Sequence, residues 1–144
     1  MIILNGQVSF IGVVATTIEH ESTIRIFPEF CRGLRGIDAF SHLIVLYWLH
    51  QRDNAEERSV LQVYPRRHNH NVLTGVFACR SPSRPTPIAL CVVELLHVNN
   101  CKLSVKGLDA LNGSPIVDIK PYLPKADSIP NARIPEWTHH SPST

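Results

Sequence analysis

The chain has 144 residues, of which 44% are hydrophobic, and its formal net charge is +2 at pH 7. This length and composition predict one compact domain, 1–144, and the charge lies well below that of a dedicated nucleic-acid-binding domain. No apolar run approaches the roughly 20 residues of a membrane span, and the uncharged start is too short for a signal peptide. We therefore predict a cytoplasmic protein with no membrane partner.

The first half of the chain reads as short strands separated by polar or turn-forming segments. The run 43–49 is continuously apolar, which is typical of a central strand covered on both faces. Residues 7–16 and 23–27 alternate more clearly and predict a hairpin. The expected elements are strands at 7–16, 23–27, 43–49 and 60–64, a helical turn at 28–34, a polar loop or short helix at 52–58, and an exposed basic loop at 65–71.

The most distinctive stretch is a proline-rich loop between two strand-like apolar runs, 73–79 and 88–98. Each proline fixes its own φ and favours an extended residue before it, so the loop should be stiff. It carries Arg80 and Arg84, and arginines held in place are suited to binding a carboxylate or a phosphate. The alternative is a rigid connection between strands with two solvated arginines.

The last third predicts more strands and an irregular end. Residues 101–108 alternate as in a half-exposed strand, and the Asn-Gly pair within 109–115 is a strong hairpin signal before a final strand at 116–120. From about 121 the chain continues as an irregular proline-rich arm. We therefore predict a mostly β fold, a small antiparallel β-barrel with short helices.

The cysteines and histidines give only weak signals. Four cysteines form no Cys-x-x-Cys pair, and three lie in apolar runs, so we expect free, packed thiols rather than zinc ligands or disulfides. His68 and His70 in the basic loop are more typical of solvated or RNA-facing side chains than of a metal pair. No metal site is predicted.

Three motifs occur in the order found in a known family. Residues 76–82, Val-Phe-Ala-Cys-Arg-Ser-Pro, with 84–88, Arg-Pro-Thr-Pro-Ile, are similar to the signature of the TsaA-like family, also called TrmO. Residues 40–43 leading to 50–51, and residues 111–124, resemble its two other blocks. The resemblance implies a homodimeric β-barrel that uses S-adenosylmethionine to methylate N6 of threonylcarbamoylated adenosine beside the anticodon of tRNA.

The resemblance also implies site residues. An arginine fork at Arg80 could hold the carboxylate of the cofactor's methionine end. Asp118 and Tyr122 are possible orienting groups for the N6 amine, with a strand-end hydrogen bond and a barrel-rim aromatic as the respective alternatives. The implied cofactor contacts are His50, Gln51, Arg80, Leu90, Ala110, Leu111, Asn112 and Gly113. The tRNA-binding predictions are Arg84, Arg66 and Arg67, with Arg25, Arg32 and Arg35 as further basic positions. Solvated surface charge is the alternative for all of these arginines.

Some positions depart from the family pattern. Thr86, Ala89 and Asn112 stand where asparagine, glycine and aspartate are usual. These departures leave two alternatives open: the same cofactor with another RNA or small-molecule acceptor, and a non-catalytic module that binds RNA or protein.

Overall fold

A computed structural model of the chain describes residues 1–140. The chain divides into two compact units. The first unit contains Met1–His50 and Ile88–Tyr122, and the second contains Gln51–Pro87 and Leu123–Thr144.

The first unit contains the main sheet. Its strands are β1 (Gly12–Ile18), β2 (Glu21–Ile26), β3 (His42–Trp48), β6 (Ile88–Asn99), β7 (Lys102–Lys106) and β8 (Pro115–Pro121). Two 3-10 helices, Pro28–Leu34 and Ile37–Ala39, connect β2 to β3, and a third, His50–Arg52, follows β3. The expected helical turn at 28–34 is confirmed.

The second unit is built from short elements. They are α1 (Ala55–Arg58), β4 (Gln62–Val63), β5 (Thr74–Gly75), α2 (Pro124–Asp127) and the 3-10 helices Arg66–His68, Val76–Ala78 and Glu136–His140. Strands β4 and β5 pair antiparallel. None of the helices within residues 1–140 has the length and apolar character needed to cross a membrane.

The sheet of the first unit closes on itself. Its strands pair in the order β1-β2-β7-β6-β3-β8, and β8 pairs back onto β1 to complete a closed barrel. Every pairing is antiparallel. The predicted mostly β fold with short helices is confirmed, and β3 is a central strand between β6 and β8, as its apolar sequence indicates.

The interior of the barrel is filled by alternate residues of its strands. In β3, Leu43, Val45 and Tyr47 are buried, while the residues between them are half-buried on the outer side. This is the two-residue period expected of a pleated strand with one face toward a core. The remaining core side chains are Val14, Ile24, Ile26, Val93, Leu103, Val105, Leu108 and Ile116.

Gly12 is a point of close approach between β1 and β2. A Cβ built on Gly12 would lie 2.4 Å from the carbonyl oxygen of Arg25 and 3.1 Å from the Cα of Ile26. Both are backbone atoms of the paired strand β2, so they cannot move away by a change of rotamer as a side chain could. We expect Gly12→Ala to lower the free energy of unfolding by about 1–3 kcal/mol, the usual range for overpacking, in urea unfolding of the purified protein.

Gly33→Ala is the matched control for this prediction. A Cβ on Gly33 has no atom within 4 Å, and its φ lies outside the left-handed region. This variant should unfold at the wild-type urea concentration. Equal midpoints for the two variants would show that the β1–β2 approach can relax without cost.

Several strand boundaries differ from the predictions. The first strand begins at Gly12 rather than at residue 7, and residues 1–10 are exposed. The predicted strand 73–79 is only the two-residue β5 followed by a 3-10 helix. The turn 109–115 joins strands that do not pair, because β7 lies between β2 and β6 while β8 lies between β1 and β3. The hairpin prediction there is wrong, whereas the predicted β1–β2 hairpin is confirmed.

The expectation that all four cysteines are free is wrong for two of them. Cys31, in the helix Pro28–Leu34, forms a disulfide with Cys101, in the turn between β6 and β7, with Cα atoms 5.4 Å apart. Cys79 and Cys91 are not part of this disulfide. The partners are 70 residues apart and belong to no short motif, so only the folded topology brings them together.

Candidate functional site

Several predicted cofactor-binding residues of the first unit gather at one edge of the barrel. The antiparallel register places the start of β6 opposite Trp48, the last residue of β3, and the start of β8 beside Tyr47. His50 follows β3 at this edge, and the segment 110–113 leads into β8 there. The edge therefore combines residues from three separate parts of the sequence.

Hydrogen bonds fix the turn 110–113 onto the barrel. The Tyr47 hydroxyl donates to the carbonyl of Asp109. The amide of Gly113 donates to the carbonyl of Val14 at 2.7 Å, and the amide of Val14 donates to the carbonyl of Ser114 at 3.0 Å. Gly113 has a φ of +86°, a conformation that glycine adopts without strain. The turn is therefore a rigid part of the edge.

The same edge presents both polar and apolar surface. His50 is exposed, and Leu90, the third residue of β6, is 46% exposed. Leu111 and Asn112 are exposed in the turn, while Ala110 is half-buried against the core. An imidazole, an amide and apolar side chains suit a ligand that has both an aromatic ring and hydroxyl groups.

Asp118, in the middle of β8, and Tyr122, the residue directly after β8, are the two catalytic candidates. Asp118 accepts a hydrogen bond from the amide of Ile119 at 2.9 Å and pairs with Lys120 at 2.8 Å, which raises the pKa of the lysine. Tyr122 bonds through its amide to the carbonyl of His42, at the start of β3. The register thus places Tyr122 near the opposite end of the barrel from His50, about 20 Å away along the strands. Their catalytic role stays a prediction.

The second unit contains the remaining predicted residues, among them Gln51, which is exposed in the helix His50–Arg52. In the proline-rich loop, Arg84 is half-buried and turned back onto its own backbone. Its Nε donates to the carbonyl of Ser81 at 2.7 Å, and its Nη2 donates to those of Val76 at 2.6 Å and Cys79 at 2.8 Å.

A second set of contacts holds the far side of this loop. Arg58 of α1 donates from Nε to the carbonyl of Pro85 at 2.8 Å, and its Nη1 pairs with Asp53 at 3.0 Å. The Ser83 hydroxyl donates to the carboxylate of Glu57, which also pairs with Arg52 at 3.2 Å. Together with the contacts of Arg84, these bonds make the loop as rigid as its prolines predict.

Sequence reasoning missed these α1 contacts, although a signal was present. Asn54-Ala55-Glu56-Glu57 has the spacing of a helix N-terminus with a capping residue followed three positions later by glutamate. In the structure, the side chain of Asn54 accepts from the amide of Glu57 at 2.9 Å. The pattern would have predicted that a short helix begins after Asn54, but not that its side chains contact the loop.

Arg80 is the arginine of the loop that remains available to a ligand. Its side chain is exposed, and the ion pairs found within residues 1–140 involve other arginines and lysines. A free guanidinium fork on a rigid backbone fits the carboxylate end of S-adenosylmethionine. This arrangement agrees with the predicted role of Arg80 but leaves the role itself a prediction.

Glu57 makes the order of this loop depend on pH. The hydrogen bond from Ser83, assisted by Arg52, holds the pKa of Glu57 below its usual value of 4.5, although partial desolvation acts in the opposite direction. Because the folded pKa is the lower one, this contribution to stability is present above pH 4.5 and is lost as the pH falls through the folded pKa. We expect exchange of the amides of Ser81, Ser83 and Arg84 to accelerate as the pH falls below 4.5, after correction for the intrinsic exchange rate.

Glu57→Gln should remove most of that acceleration, since glutamine keeps a carbonyl acceptor but does not titrate in this range. Glu56→Gln, which alters the neighbouring exposed carboxylate of α1, should retain it. The same pH dependence in wild-type and Glu57→Gln proteins would assign the effect to another group.

The basic loop 65–71 is less exposed than predicted. Arg66 and Arg67 are exposed, as a tRNA contact would require, but His68 and His70 are half-buried against Trp137. The His70 ring stacks on the indole with centroids 4.5 Å apart, and the His68 ring meets it edge-on at 5.1 Å. The two histidines are therefore partly covered by ring contacts within the second unit rather than fully solvated.

The further basic positions lie in the first unit. Arg25 is exposed and sits over the ring of Phe27 at 5.7 Å. Arg32 and Arg35 line an open cavity of about 950 Å³ between segments 31–38 and 96–100, and a cavity of about 310 Å³ lies beside β2. Neither cavity is lined by a predicted cofactor contact. Within residues 1–140, no three His, Cys, Asp or Glu side chains are grouped so that they could hold a metal ion.

Residues 13–128 match the model of the tRNA-methyltransferase O N-terminal domain family. The chain belongs to this family. The resemblance carried by the three sequence motifs is thereby confirmed. The match covers the whole main sheet except the first residue of β1, together with α1 and the proline-rich loop.

Relatives within the tRNA-methyltransferase O family differ in length and in name. A probable S-adenosyl-L-methionine-binding protein of Methanothermobacter thermautotrophicus is 50% identical over 109 residues, covering 76% of this chain and 74% of that protein. The tRNA (adenine(37)-N6)-methyltransferase of Escherichia coli is 44% identical over 104 residues, covering 69% of this chain and 43% of the enzyme.

A solved structure agrees with the family assignment. The crystal structure of TrmO from Pseudomonas aeruginosa superposes with a TM-score of 0.72 and 29% sequence identity, covering 93% of this chain. Our chain covers 62% of that structure. It therefore spans less than two thirds of both the E. coli enzyme and the solved relative.

Proposed function

We propose that this protein is an S-adenosylmethionine-dependent methyltransferase that modifies N6 of the adenosine beside the anticodon of tRNA, with threonylcarbamoylated adenosine as its substrate. The observation that carries the proposal is the family match over residues 13–128. It is supported by the E. coli relative named a tRNA (adenine(37)-N6)-methyltransferase and by the archaeal relatives named S-adenosyl-L-methionine-binding proteins.

The proposed cofactor contacts are given for each unit by itself. In the second unit, Arg80 would pair with the carboxylate of the methionine end, and Gln51 would contact the nucleoside. In the first unit, His50, Leu90 and the turn 110–113 would contact the ribose and adenine. The exposed fork of Arg80 and the fixed turn provide donors, acceptors and an apolar surface of the kinds this ligand needs.

S-adenosylmethionine supplies an activated methyl group. Transfer forms a bond between N6 and the methyl carbon, breaks the bond from that carbon to sulfur, and releases the N6 proton. Because the donor is already activated, holding N6 in line with the sulfur–carbon bond can provide much of the rate. For the tRNA, we propose phosphate contacts from Arg66 and Arg67, whose side chains are exposed.

We extend the proposal to a homodimer in the cytoplasm. The outer side of β6 presents Val92 and Leu96, which are 45% and 37% exposed on either side of Glu94 and which a second copy could cover. Sedimentation equilibrium of the purified protein tests the dimer directly. A single species with the mass of one chain would remove this part of the proposal.

One observation supports a second candidate function. The archaeal relatives at 49–50% identity carry names that mention only S-adenosyl-L-methionine binding. The departures at Thr86 and Asn112 also lie in the blocks that resemble the family motifs, and Ala89 directly follows one of these blocks. Another RNA or small molecule could therefore accept the methyl group.

Calorimetric titration with S-adenosylmethionine, followed by methyl transfer to tRNA from a methyltransferase-deficient strain, tests the proposal. We expect saturable binding and a new N6-methylated nucleoside in digested tRNA. Binding without that product would favour another acceptor. The absence of binding would overturn both candidate functions and favour a non-catalytic module.

Methylation rates on tRNA prepared with and without the threonylcarbamoyl group test whether the enzyme requires this group on its acceptor adenosine. Product from the modified tRNA alone would support the proposed substrate. Equal rates on both would show that the threonylcarbamoyl group is not recognised.

A further inference from the structure

Arg84 encloses the backbone on both sides of Arg80. The carbonyls of Cys79 and Ser81, the residues directly before and after Arg80, both accept hydrogen bonds from the Arg84 guanidinium, at 2.8 and 2.7 Å. A third bond, 2.6 Å to the carbonyl of Val76, ties the same guanidinium to a buried residue. The position of the Arg80 backbone is thus fixed by the side chain of Arg84.

These three bonds leave little of Arg84 for a ligand. A guanidinium has five N–H donors, and the Nε donor and both Nη2 donors are used within the loop. The side chain is half-buried, whereas Arg80 is exposed. The two arginines of the loop therefore have different surroundings, although the sequence presents them as a pair.

We infer that Arg84 is a positioning residue that orders the loop so that Arg80 is held ready for the carboxylate of the cofactor, and that Arg84 is not a tRNA contact. This inference rests on the proposed function. A flexible Arg80 would have to be immobilised when the cofactor binds, and that entropic cost would weaken binding. Arg84 thus affects cofactor affinity through the backbone.

Lysine cannot replace the fork, because one ammonium group cannot make three bonds in the directions that the guanidinium provides. Arg84→Lys keeps the charge and should still raise the dissociation constant for S-adenosylmethionine about tenfold, as should Arg84→Ala. Hydrogen exchange at the amides of Cys79, Arg80, Ser81 and Ser83 should accelerate in both variants. The dependence of tRNA affinity on salt should stay as in the wild type.

Arg133→Ala is the matched control, since it removes an exposed positive charge from the same unit. It should leave cofactor affinity and loop exchange unchanged. If Arg84 contacts a phosphate instead, Arg84→Ala would lower the salt slope of tRNA binding by about one with normal cofactor affinity, and the inference would be overturned.

The exchange measurement separates this inference from the proposed function. If the wild-type protein binds no S-adenosylmethionine, the proposed function fails, and so does the cofactor-linked role of Arg84. Faster exchange in Arg84→Lys would then still establish that Arg84 orders the loop. Wild-type exchange at residues 79–83 in Arg84→Lys would overturn the ordering role whether or not the cofactor binds.

Discussion

Arg80→Ala should raise the dissociation constant for S-adenosylmethionine about 10- to 100-fold, the range expected when a hydrogen-bonded charge pair worth about 1.5–3 kcal/mol is removed. Arg80 is exposed on a loop that is held by Arg84 and Arg58, so the substitution takes away a ligand contact without removing support from the fold. Calorimetric titration measures the change, and the thermal midpoint should stay within a degree or two of the wild type.

Arg80→Lys refines this prediction. Lysine keeps the positive charge but offers a single ammonium group in place of a planar fork, so its affinity should fall between those of the wild type and Arg80→Ala. Unchanged affinity in Arg80→Ala would remove Arg80 from the cofactor site. The carboxylate would then have to be bound by another group.

Loss of the Cys31–Cys101 disulfide should lower the free energy of unfolding by about 2–4 kcal/mol, because a crosslink across a separation of 70 residues restricts the unfolded chain strongly. Cys31→Ser removes the bond and leaves the hydroxyl near a partly buried position. Urea unfolding of the wild type with and without reductant, and of Cys31→Ser, measures the effect.

The reductant provides the internal control. It should destabilise the wild type and leave Cys31→Ser unchanged, since the variant has no disulfide to reduce. Cys79→Ser, which alters a free thiol of the second unit, should respond to reductant as the wild type does. Equal stability of oxidised and reduced wild-type protein would contradict the prediction.

The sequence predicted the central strands well because their apolar patterns leave few alternatives. The runs 43–49 and 88–98 became β3 and β6 within one residue at each end. Where a strand was predicted wrongly, contacts in the folded protein gave the segment another conformation. At 73–79, the carbonyls of Val76 and Cys79 accept bonds from the side chain of Arg84 instead of from a neighbouring strand.

Local patterns were also misleading at the start of β1 and at the turn before β8. Val8 and Phe10 alternate as a strand would, but pairing with β2 and β8 begins only at Gly12. The Asn112-Gly113 turn looks like a hairpin locally, yet the amide of Gly113 bonds to β1 rather than across to β7. The Cys31–Cys101 pair and the stacking of His70 on Trp137 join residues about 70 positions apart, which no local pattern can predict.

The proposed site depended on the family resemblance more than on any local pattern. A stiff loop with arginines could be predicted from its prolines, and the structure contains that loop. It could not be predicted that Arg80 is exposed while Arg84 bonds to the loop backbone. Both arginines have prolines nearby in the sequence, and only the fold of the loop turns the side chain of Arg84 inward.

The position of β8 has a consequence for how the chain folds during synthesis. This strand is the second partner of both β1 and β3, and it is the last strand of the barrel to be made. Until residues 115–121 leave the ribosome, β1 and β3 each present an unpaired edge. Pairing between the two ends of the chain is also a non-local step, which slows folding. The nascent chain is therefore most exposed to wrong pairing just before β8 emerges.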